Sequence, residues 1–476
     1  MLSGFSVYEL NSFGKFVRSP FFNSSKRLIV YFDEIKSSIK KGKSLPDKKE
    51  IYSMIYPGEK YNDGRLRFLS SELLSLAEEF CAVSAMRKDP FGKCMYSFHA
   101  MAAGNRILQA KRKLDESGKH LNPRSYPGEI YYYSRYSYFS ALGYIGILQE
   151  KTPGADIFTG EAENIIMLMV TVLFQSIHNL NTLSRTFNVK PGYDITADFL
   201  KSFDFRGFVS RLRLAGHPKA SLAELYYDLL CLVDNSADSS TYYKVRNRIT
   251  ELVGELNRQD LYNIISALKS YCVQRELEGK SGFHYERFEL NKLSLELDVY
   301  SFSEHMQIND FRNFLNVALL FKEYDWAENF INEYSDKLRP DMRSNAVYHA
   351  RASLAFSRKD YDTARTFLSK VKADSLFFKH DIKRMELVIC YEKEEYTAAV
   401  EMIDSYKHFL KSNKGVSELR KDAVWNFLNA AMDIIKIKTG ASRKSPGSVT
   451  AKLAAMQPIS NKAWLIEKAA ELSALK

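Results

Sequence analysis

Apolar side chains recur along the chain with the spacing of one face of a helix. Between Arg258 and Gln274 they follow steps of i, i+3, i+4, i+7 and i+11, at Leu261, Ile264, Ile265, Leu268 and Cys272. An α-helix brings residues with this spacing onto one side, whereas a half-buried strand alternates apolar and polar residues. The stretch from Ala220 to Val233 has a similar pattern. Both segments therefore predict amphipathic helices.

Proline and glycine mark several short segments between the helical stretches, at 121–129, 150–161, 188–194 and 278–282. Both residues end helices, and no convincing series of alternating strands appears, so the sequence predicts an all-α fold. We expect four regions. They are an N-terminal helical region with a basic segment at 1–120, a central region of helical pairs at 121–300, a repetitive region at 301–438, and a mobile basic linker with a terminal capping helix at 439–476.

Three segments in the C-terminal third repeat one arrangement of residues. They are KEYDWAENFI from Lys322, KDYDTARTFL from Lys359 and KEEYTAAVEMI from Lys393. Each has a small residue three positions after a tyrosine, in the pairs Tyr324 and Ala327, Tyr361 and Ala364, and Tyr396 and Ala399. An apolar helical stretch precedes each tyrosine. Helix pairs with tight turns, close crossings and shared apolar ridges need this pattern, which predicts an α-solenoid of antiparallel helix pairs.

The segment from about Phe311 to Leu410 resembles the tetratricopeptide repeat, whose period is about 34 residues. It lacks that family's glycine at the turn and proline at the end of each unit, so it resembles a divergent tetratricopeptide-like protein. The N-terminal sequence FGKFVRSPFFNSSKRL also resembles bacterial helical proteins of this length, a resemblance that implies no known activity. The tetratricopeptide resemblance implies binding of a protein or peptide on a concave face formed by the first helix of each pair.

Five polar residues of the first helices share a register, because each lies eight or twelve residues before a repeat tyrosine. They are Arg312, Asn316, His349, Ser353 and Arg384. Arg312 and Asn316 match by type the first positions of the carboxylate clamp with which this family holds chaperone tails. Ala350, Asp381 and Met385 depart from that clamp and disfavour a chaperone-tail partner. We expect a groove for an acidic or extended peptide, with an ordinary solvated face as the alternative.

The formal net charge of +11 is concentrated in segments 81–124 and 436–476, each with a net charge of +6. The first segment runs into a tyrosine-rich stretch, where rings could stack on bases while cations hold phosphates. Its candidate residues are Arg106, Lys111, Arg112, Lys113, Lys119 and Arg124, followed by Tyr131, Tyr132, Tyr133, Tyr136 and Tyr138. Consecutive tyrosines point in different directions on a helix, so packing between neighbouring helices is the alternative. The region 81–138 is our second candidate site, for nucleic acid.

Sequence motifs for catalysis and metal binding do not appear. No HExxH, GxSxG or dinucleotide-binding glycine pattern occurs, and Cys94 with His99 has no second pair of ligands. We expect no enzyme activity, no metal and no cofactor. The five cysteines are unclustered, which indicates reduced thiols and a cytoplasmic protein. The apolar run from Ile165 to Phe174 is shorter than the roughly 20 residues that cross a bilayer, so we expect a helix buried on all sides, or a buried strand, and no membrane contact.

These patterns together predict an all-α, non-catalytic scaffold that binds a protein or peptide. Nucleic-acid binding ranks second, and catalysis by residues that only the fold brings together ranks third. The identity of the partner and the oligomeric state have no signature in the sequence.

Overall fold

The computed structural model is all-α, which confirms the predicted fold class. Within the part of the chain that it describes there are 23 α-helices and no β-strand, and one isolated β-bridge joins Phe187 to Val416. The description covers residues 1–476 except 43, 188, 190–191, 193–194, 235–237, 279, 281, 373–375, 414, 443–444 and 475–476, and except the side chains of residues 277, 376, 377 and 474.

The chain divides into two compact units, and the divisions fall inside or beside helices α7 and α8. Unit 1 comprises residues 1–121 and 134–161, and unit 2 comprises residues 122–133 and 162–476. The helices from the N-terminus to the last of these divisions, which falls within α8, are α1 (Val7–Val17), α2 (Lys26–Lys40), α3 (Lys48–Ile55), α4 (Asp63–Lys88), α5 (Pro90–Ala103), α6 (Ile107–Gly118), α7 (Gly128–Leu148) and α8 (Ala155–Thr186).

Fifteen further helices follow in unit 2. They are α9 (Ile195–Ser202), α10 (Phe205–Leu214), α11 (Ala220–Val233), α12 (Ser239–Leu252), α13 (Arg258–Leu277), α14 (Phe283–Glu296), α15 (Ile308–Leu320), α16 (Tyr324–Tyr334), α17 (Pro340–Ser357), α18 (Tyr361–Leu368), α19 (Leu376–Glu392), α20 (Tyr396–Ser412), α21 (Glu418–Lys438), α22 (Pro446–Ala455) and α23 (Lys462–Ala474). The predicted apolar face of α13 is buried, since Leu261, Ile264 and Leu268 are at most 1% exposed.

Unit 1 has an aromatic core built where its first helices meet. Phe13 of α1 lies edge-on to Phe32 of α2, with ring centres 5.1 Å apart, and 5.4 Å from Phe80 of α4. Helix α1 begins at a capping box, in which Ser6 and Glu9 satisfy each other's backbone amides. Local capping and apolar spacing thus explain both where α1 begins and which side it buries.

The three repeated segments adopt the same turn. Helices α16, α18 and α20 begin at the repeat tyrosines, and the alanines three residues later are fully buried. Two residues before each tyrosine the backbone is left-handed, with φ of 59° at Lys322, 63° at Lys359 and 60° at Glu394. The next amide bonds to a carbonyl five residues back, as at many helix C-termini: Glu323 to Ala318 at 3.0 Å, Asp360 to Ala355 at 2.9 Å and Glu395 to Cys390 at 2.8 Å.

Helices α15, α17 and α19, which precede the three turns, contact one another through side chains. His349 and Ser353 of α17 contact residues of α19 that lie 32 positions later in both cases. Because the offset stays constant along the two helices, α17 and α19 run in the same direction. Helix α17 also contacts α15, because Ser357 Oγ of α17 donates to the Leu319 carbonyl of α15 at 3.4 Å.

The apolar run from Ile165 to Phe174 lies inside α8, which is 32 residues long. By length and composition α8 is able to cross a membrane, and it is the one such helix in the described part of the chain. The length of the run therefore does not exclude a membrane span, because the run is only part of the helix. The expectation of burial on all sides is also wrong, since Phe174 is 1% exposed whereas Ile165 and Val172 are 41% and 40% exposed.

The C-terminal segment is more ordered than the mobile linker predicted for Lys438 to Lys452. Apart from residues 443–444, which are outside the described part, this segment includes the start of α22, capped by Ser445. Val449 of α22 and Leu465 of α23 are buried in one core with α21. The indole nitrogen of Trp464 donates to Glu392 Oε1 at 2.7 Å. The terminal helix is therefore packed into unit 2 as an integral part of its core.

Candidate functional site

The five predicted groove residues lie on three first helices of the repeated region. Arg312 and Asn316 belong to α15, His349 and Ser353 to α17, and Arg384 to α19. Within this set, the structure brings Arg312 and His349 together through a shared contact with one carboxylate. That carboxylate is Asp381 of α19, which in the sequence departs from the chaperone-tail clamp.

The Arg312–Asp381–His349 cluster is a buried ion-pair network. Arg312 donates from Nε to Asp381 Oδ2 at 2.5 Å and from Nη2 to Oδ1 at 2.9 Å. His349 Nε2 lies 3.1 Å from Oδ2 and donates to it, because an ionised carboxylate only accepts. The side chains of Arg312, Asp381 and His349 are 16%, 11% and 2% exposed. Such a bidentate arginine–carboxylate pair has a defined geometry and little contact with solvent.

The charge state of Asp381 follows from its neighbours. Burial alone would raise the pKa of the Asp381 carboxyl, but the charge of Arg312 and the hydrogen bonds from His349 and Arg312 outweigh it. They hold the pKa of Asp381 well below its usual range, so the carboxylate stays ionised at neutral pH. The positive charge of Arg312 is thus already matched within the protein.

Apolar side chains close the space around this network. The His349 ring stacks on Phe378, with ring centres 4.6 Å apart. The gaps among Phe311, Leu315, Ala350 and their neighbours have no room for a water molecule. A peptide therefore has no access to this part of the predicted groove in the conformation described.

The remaining three predicted residues divide into one buried and two partly exposed. Ser353 is 5% exposed, and its hydroxyl contacts Met385 Sδ at 3.9 Å. Asn316 and Arg384 are partly exposed, and neither has a hydrogen-bond or ion-pair partner among the described residues. The Arg384 guanidinium lies 5.5 Å from the centre of the Phe356 ring. The peptide-groove hypothesis stays a prediction, with Asn316 and Arg384 as the residues that a partner could reach.

The tyrosine-rich candidate for nucleic acid is distributed over both units. Tyr131 to Tyr133 belong to unit 2, whereas Tyr136, Tyr138 and the basic residues from Arg106 to Lys119 belong to unit 1. Tyr132 is 4% exposed, and Tyr133 is 59% exposed. The Tyr138 ring packs against Gly118, where an added Cβ would lie 2.9 Å from the phenol oxygen. Packing therefore accounts for Tyr132 and Tyr138.

The basic side chains of this candidate differ in their surroundings. Lys111 pairs with Asp115 at 3.0 Å and Lys113 pairs with Glu116 at 2.7 Å, both within α6. In unit 2, Arg124 Nε donates to the Gly254 carbonyl at 2.7 Å. Lys111, Lys113 and Arg124, three of the basic residues predicted to bind phosphate, are thus already engaged in contacts within the protein.

Lys269 is a buried lysine with a lowered pKa, which the sequence did not reveal. Burial lowers the pKa of Lys269 to about 7, although the nearby Asp310 opposes the shift. Its ammonium donates to Ser294 Oγ at 2.9 Å, and Ser294 in turn donates to the Leu290 carbonyl at 2.6 Å. Ser294 is fully buried. A lysine beside a serine can activate a nucleophile, but this hydroxyl has no access for a substrate, so the pair acts as a core contact.

Comparisons of the chain with protein-family models, with curated proteins and with solved structures find no match.

Proposed function

We propose that the chain is a non-catalytic scaffold whose residues 301–438 form a tetratricopeptide-like α-solenoid of antiparallel helix pairs that binds a protein or peptide partner. Support for the architecture comes from the turns before Tyr324, Tyr361 and Tyr396, which share one backbone conformation and one hydrogen-bond pattern. The constant offset of the contacts between α17 and α19 adds to it, since stacked repeats place equivalent helices side by side.

The availability of Arg384 carries the proposed peptide site. Arg312 forms an ion pair with Asp381. Arg384, in contrast, is partly exposed and has no carboxylate partner among the described residues. Asn316 follows Arg312 by one turn of α15, and its amide can both donate and accept. An acidic, extended segment of a partner would pair its carboxylate with Arg384 and its backbone with Asn316. The site is then smaller than the five-residue groove predicted from the register.

The test begins with affinity capture by the full-length protein, followed by mass spectrometry of captured proteins and nucleic acid at two salt concentrations. The captured segment is then measured by fluorescence anisotropy against Arg384→Glu and Asn316→Ala. We expect Arg384→Glu to abolish binding, because it places a negative charge opposite an acidic segment. Asn316→Ala should weaken binding without abolishing it.

Lys337→Glu is the matched control, because Lys337 is exposed, lies in the same unit and changes the net charge by the same amount. The control should bind as the unmodified protein does. Equal binding by Arg384→Glu and Lys337→Glu would refute the proposed site. Salt-sensitive capture of nucleic acid with no protein would instead favour the second candidate.

A further inference from the structure

Three metal-ligating side chains from separate parts of the N-terminal sequence meet in unit 1. Cys94 lies on α5, Glu116 lies on α6, and His120 follows the end of α6. Their ligand atoms, one sulfur, one carboxylate oxygen and one imidazole nitrogen, all lie within 4.8 Å of one another. His99, five residues after Cys94, is exposed and is not one of the three ligands.

The helices bring these donors together for simple geometric reasons. Glu116 and His120 are four residues apart, and the helical turn continues past α6 through the bond from the His120 amide to the Ser117 carbonyl at 3.0 Å. Residues four apart in a helix lie on one face. Helix α5 packs against α6 after a short turn in which Asn105 has a φ of 54°. This packing places Cys94 opposite that face.

The surroundings of the three donors suit an ion that enters from solvent. Cys94 forms the buried base, whereas Glu116 and His120 are partly exposed. The His120 ring has no hydrogen-bond partner among the described residues, so a nitrogen is available as a ligand. Burial raises the pKa of the Cys94 thiol, which the nearby Glu116 charge reinforces. Without a metal, the thiol therefore keeps its proton and can donate to the carboxylate.

We propose that Cys94, Glu116 and His120 form a site for a zinc-like divalent transition metal, with the fourth coordination position open to water. Thiolate, imidazole and carboxylate are the three kinds of ligand that Zn²⁺ takes in proteins, and three protein ligands plus water is a known arrangement. A thiolate and a carboxylate together neutralise the charge of the ion. On binding, the S–H bond of Cys94 breaks, a sulfur–metal bond forms, and the proton passes to water.

The distances require only a small closing movement. Ligands at about 2.3 Å for sulfur and about 2.0–2.1 Å for nitrogen or oxygen lie roughly 3.5 Å apart in a tetrahedral site. The donors, which lie within 4.8 Å of one another, must therefore approach by no more than about 1.3 Å. Rotation of the Glu116 and His120 side chains supplies such a movement, because neither is locked in the core.

Lys113 is the competitor for this site. Its ammonium lies 2.7 Å from Glu116 Oε2 and already neutralises one of the two negative charges that the ion needs. A cation at this position opposes the entry of a second cation. Removal of Lys113 should thus tighten metal binding, an effect that an incidental contact among three side chains would not produce.

The experiment titrates Co²⁺ into the full-length protein after chelator treatment and removal of the chelator. We expect saturation at one Co²⁺ per chain, with the near-ultraviolet band that thiolate-bound Co²⁺ produces, and displacement by Zn²⁺. Cys94→Ser should lose the band, whereas Cys81→Ser, which changes an exposed cysteine of the same unit, should keep it. His120→Gln should lower the affinity by more than about tenfold. Lys113→Ala should raise the affinity.

Two measurements keep the result interpretable if Cys94→Ser is poorly folded. His120→Gln and Lys113→Ala alter partly exposed side chains, so their far-ultraviolet circular dichroism should match that of the unmodified protein. Their opposite effects on Co²⁺ affinity then test the site without Cys94→Ser. Absence of Co²⁺ binding, a band that survives Cys94→Ser, or equal affinities of His120→Gln and Lys113→Ala would overturn the proposal.

Discussion

Removal of either partner of the Arg312–Asp381 pair should destabilise unit 2 strongly. Arg312→Met leaves the Asp381 carboxylate buried with His349 as its remaining partner in the network, and Asp381→Leu leaves the guanidinium without its carboxylate. Breaking a buried pair in this way costs about 3–5 kcal/mol. Because the side chains of Arg312 and Asp381 are still 16% and 11% exposed to solvent, we expect the lower end of that range, about 3 kcal/mol for each variant.

The double variant separates the ion pair from other effects of substitution. When both charges are replaced by apolar side chains, neither remains unpaired, and such replacements are often neutral or stabilising. Arg312→Met combined with Asp381→Leu should therefore regain most of the lost stability, with a coupling energy of at least about 2 kcal/mol. Arg339→Met is the matched control, because the Arg339–Asp341 pair is 60% exposed on both sides and its loss should not be measurable.

Tryptophan fluorescence during urea unfolding is the appropriate assay. All three tryptophans, Trp326, Trp425 and Trp464, belong to unit 2, so the signal reports that unit alone. Acid adds an independent check of Asp381. Its folded pKa lies below the unfolded value of about 3.9, so its contribution is present above pH 4 and is lost as the pH falls. Additive single variants, or singles within about 0.5 kcal/mol of the unmodified protein, would refute this account.

Three further outcomes can be measured with the same signal. Lys322→Gly should raise the free energy of unfolding by about 0.5–1 kcal/mol, because glycine adopts the left-handed φ of 59° without strain; no change would argue against a left-handed residue there. Leu465→Ala should cost about 2–5 kcal/mol, whereas Ile466→Ala, at an exposed neighbour, should cost little; equal losses would contradict the packing of α23. Burial raises the pKa of Asp260 to about 6. Ionisation of its carboxyl group should therefore lower the free energy of unfolding by up to about 3 kcal/mol as the pH rises from about 4 to about 6. Asp260→Asn should flatten that decline.

Local patterns in the sequence were sufficient to predict the all-α fold. Tyr324, Tyr361 and Tyr396 each begin a helix because the preceding turn and the buried alanine are determined by a few adjacent residues. The length of α8 was underestimated for a related reason. A helix continues through polar residues when one of its faces is apolar, so the run from Ile165 to Phe174 indicates its most apolar part and not its ends.

Contacts between distant residues were not predictable in the same way. Asp381 lies 69 residues from Arg312. It also lies three residues before Arg384, so it is neither eight nor twelve residues before a repeat tyrosine and does not belong to the predicted set. Similarly, Glu116 and His120 share a helical spacing, but nothing in the sequence brings Cys94 to that face. Each of these meetings depends on how two helices pack, which the spacing along one helix does not determine.

The burial of Arg312, His349 and Ser353, three of the five predicted groove residues, has a physical explanation in the packing of α17. The sequence prediction placed the residues eight and twelve positions before each repeat tyrosine on an open concave face. Such a face is open only if the helices that carry these residues stay apart. Helix α17 buries small residues, including Ala346 at 2% and Ala350 at 1% exposure, in one core with residues of α15. The long side chain of Arg312 can then reach past α17 to Asp381 of α19. Exposure of an inner-face position therefore depends on the size of side chains on the intervening helix, and a prediction of the groove must weigh those residues together with the register.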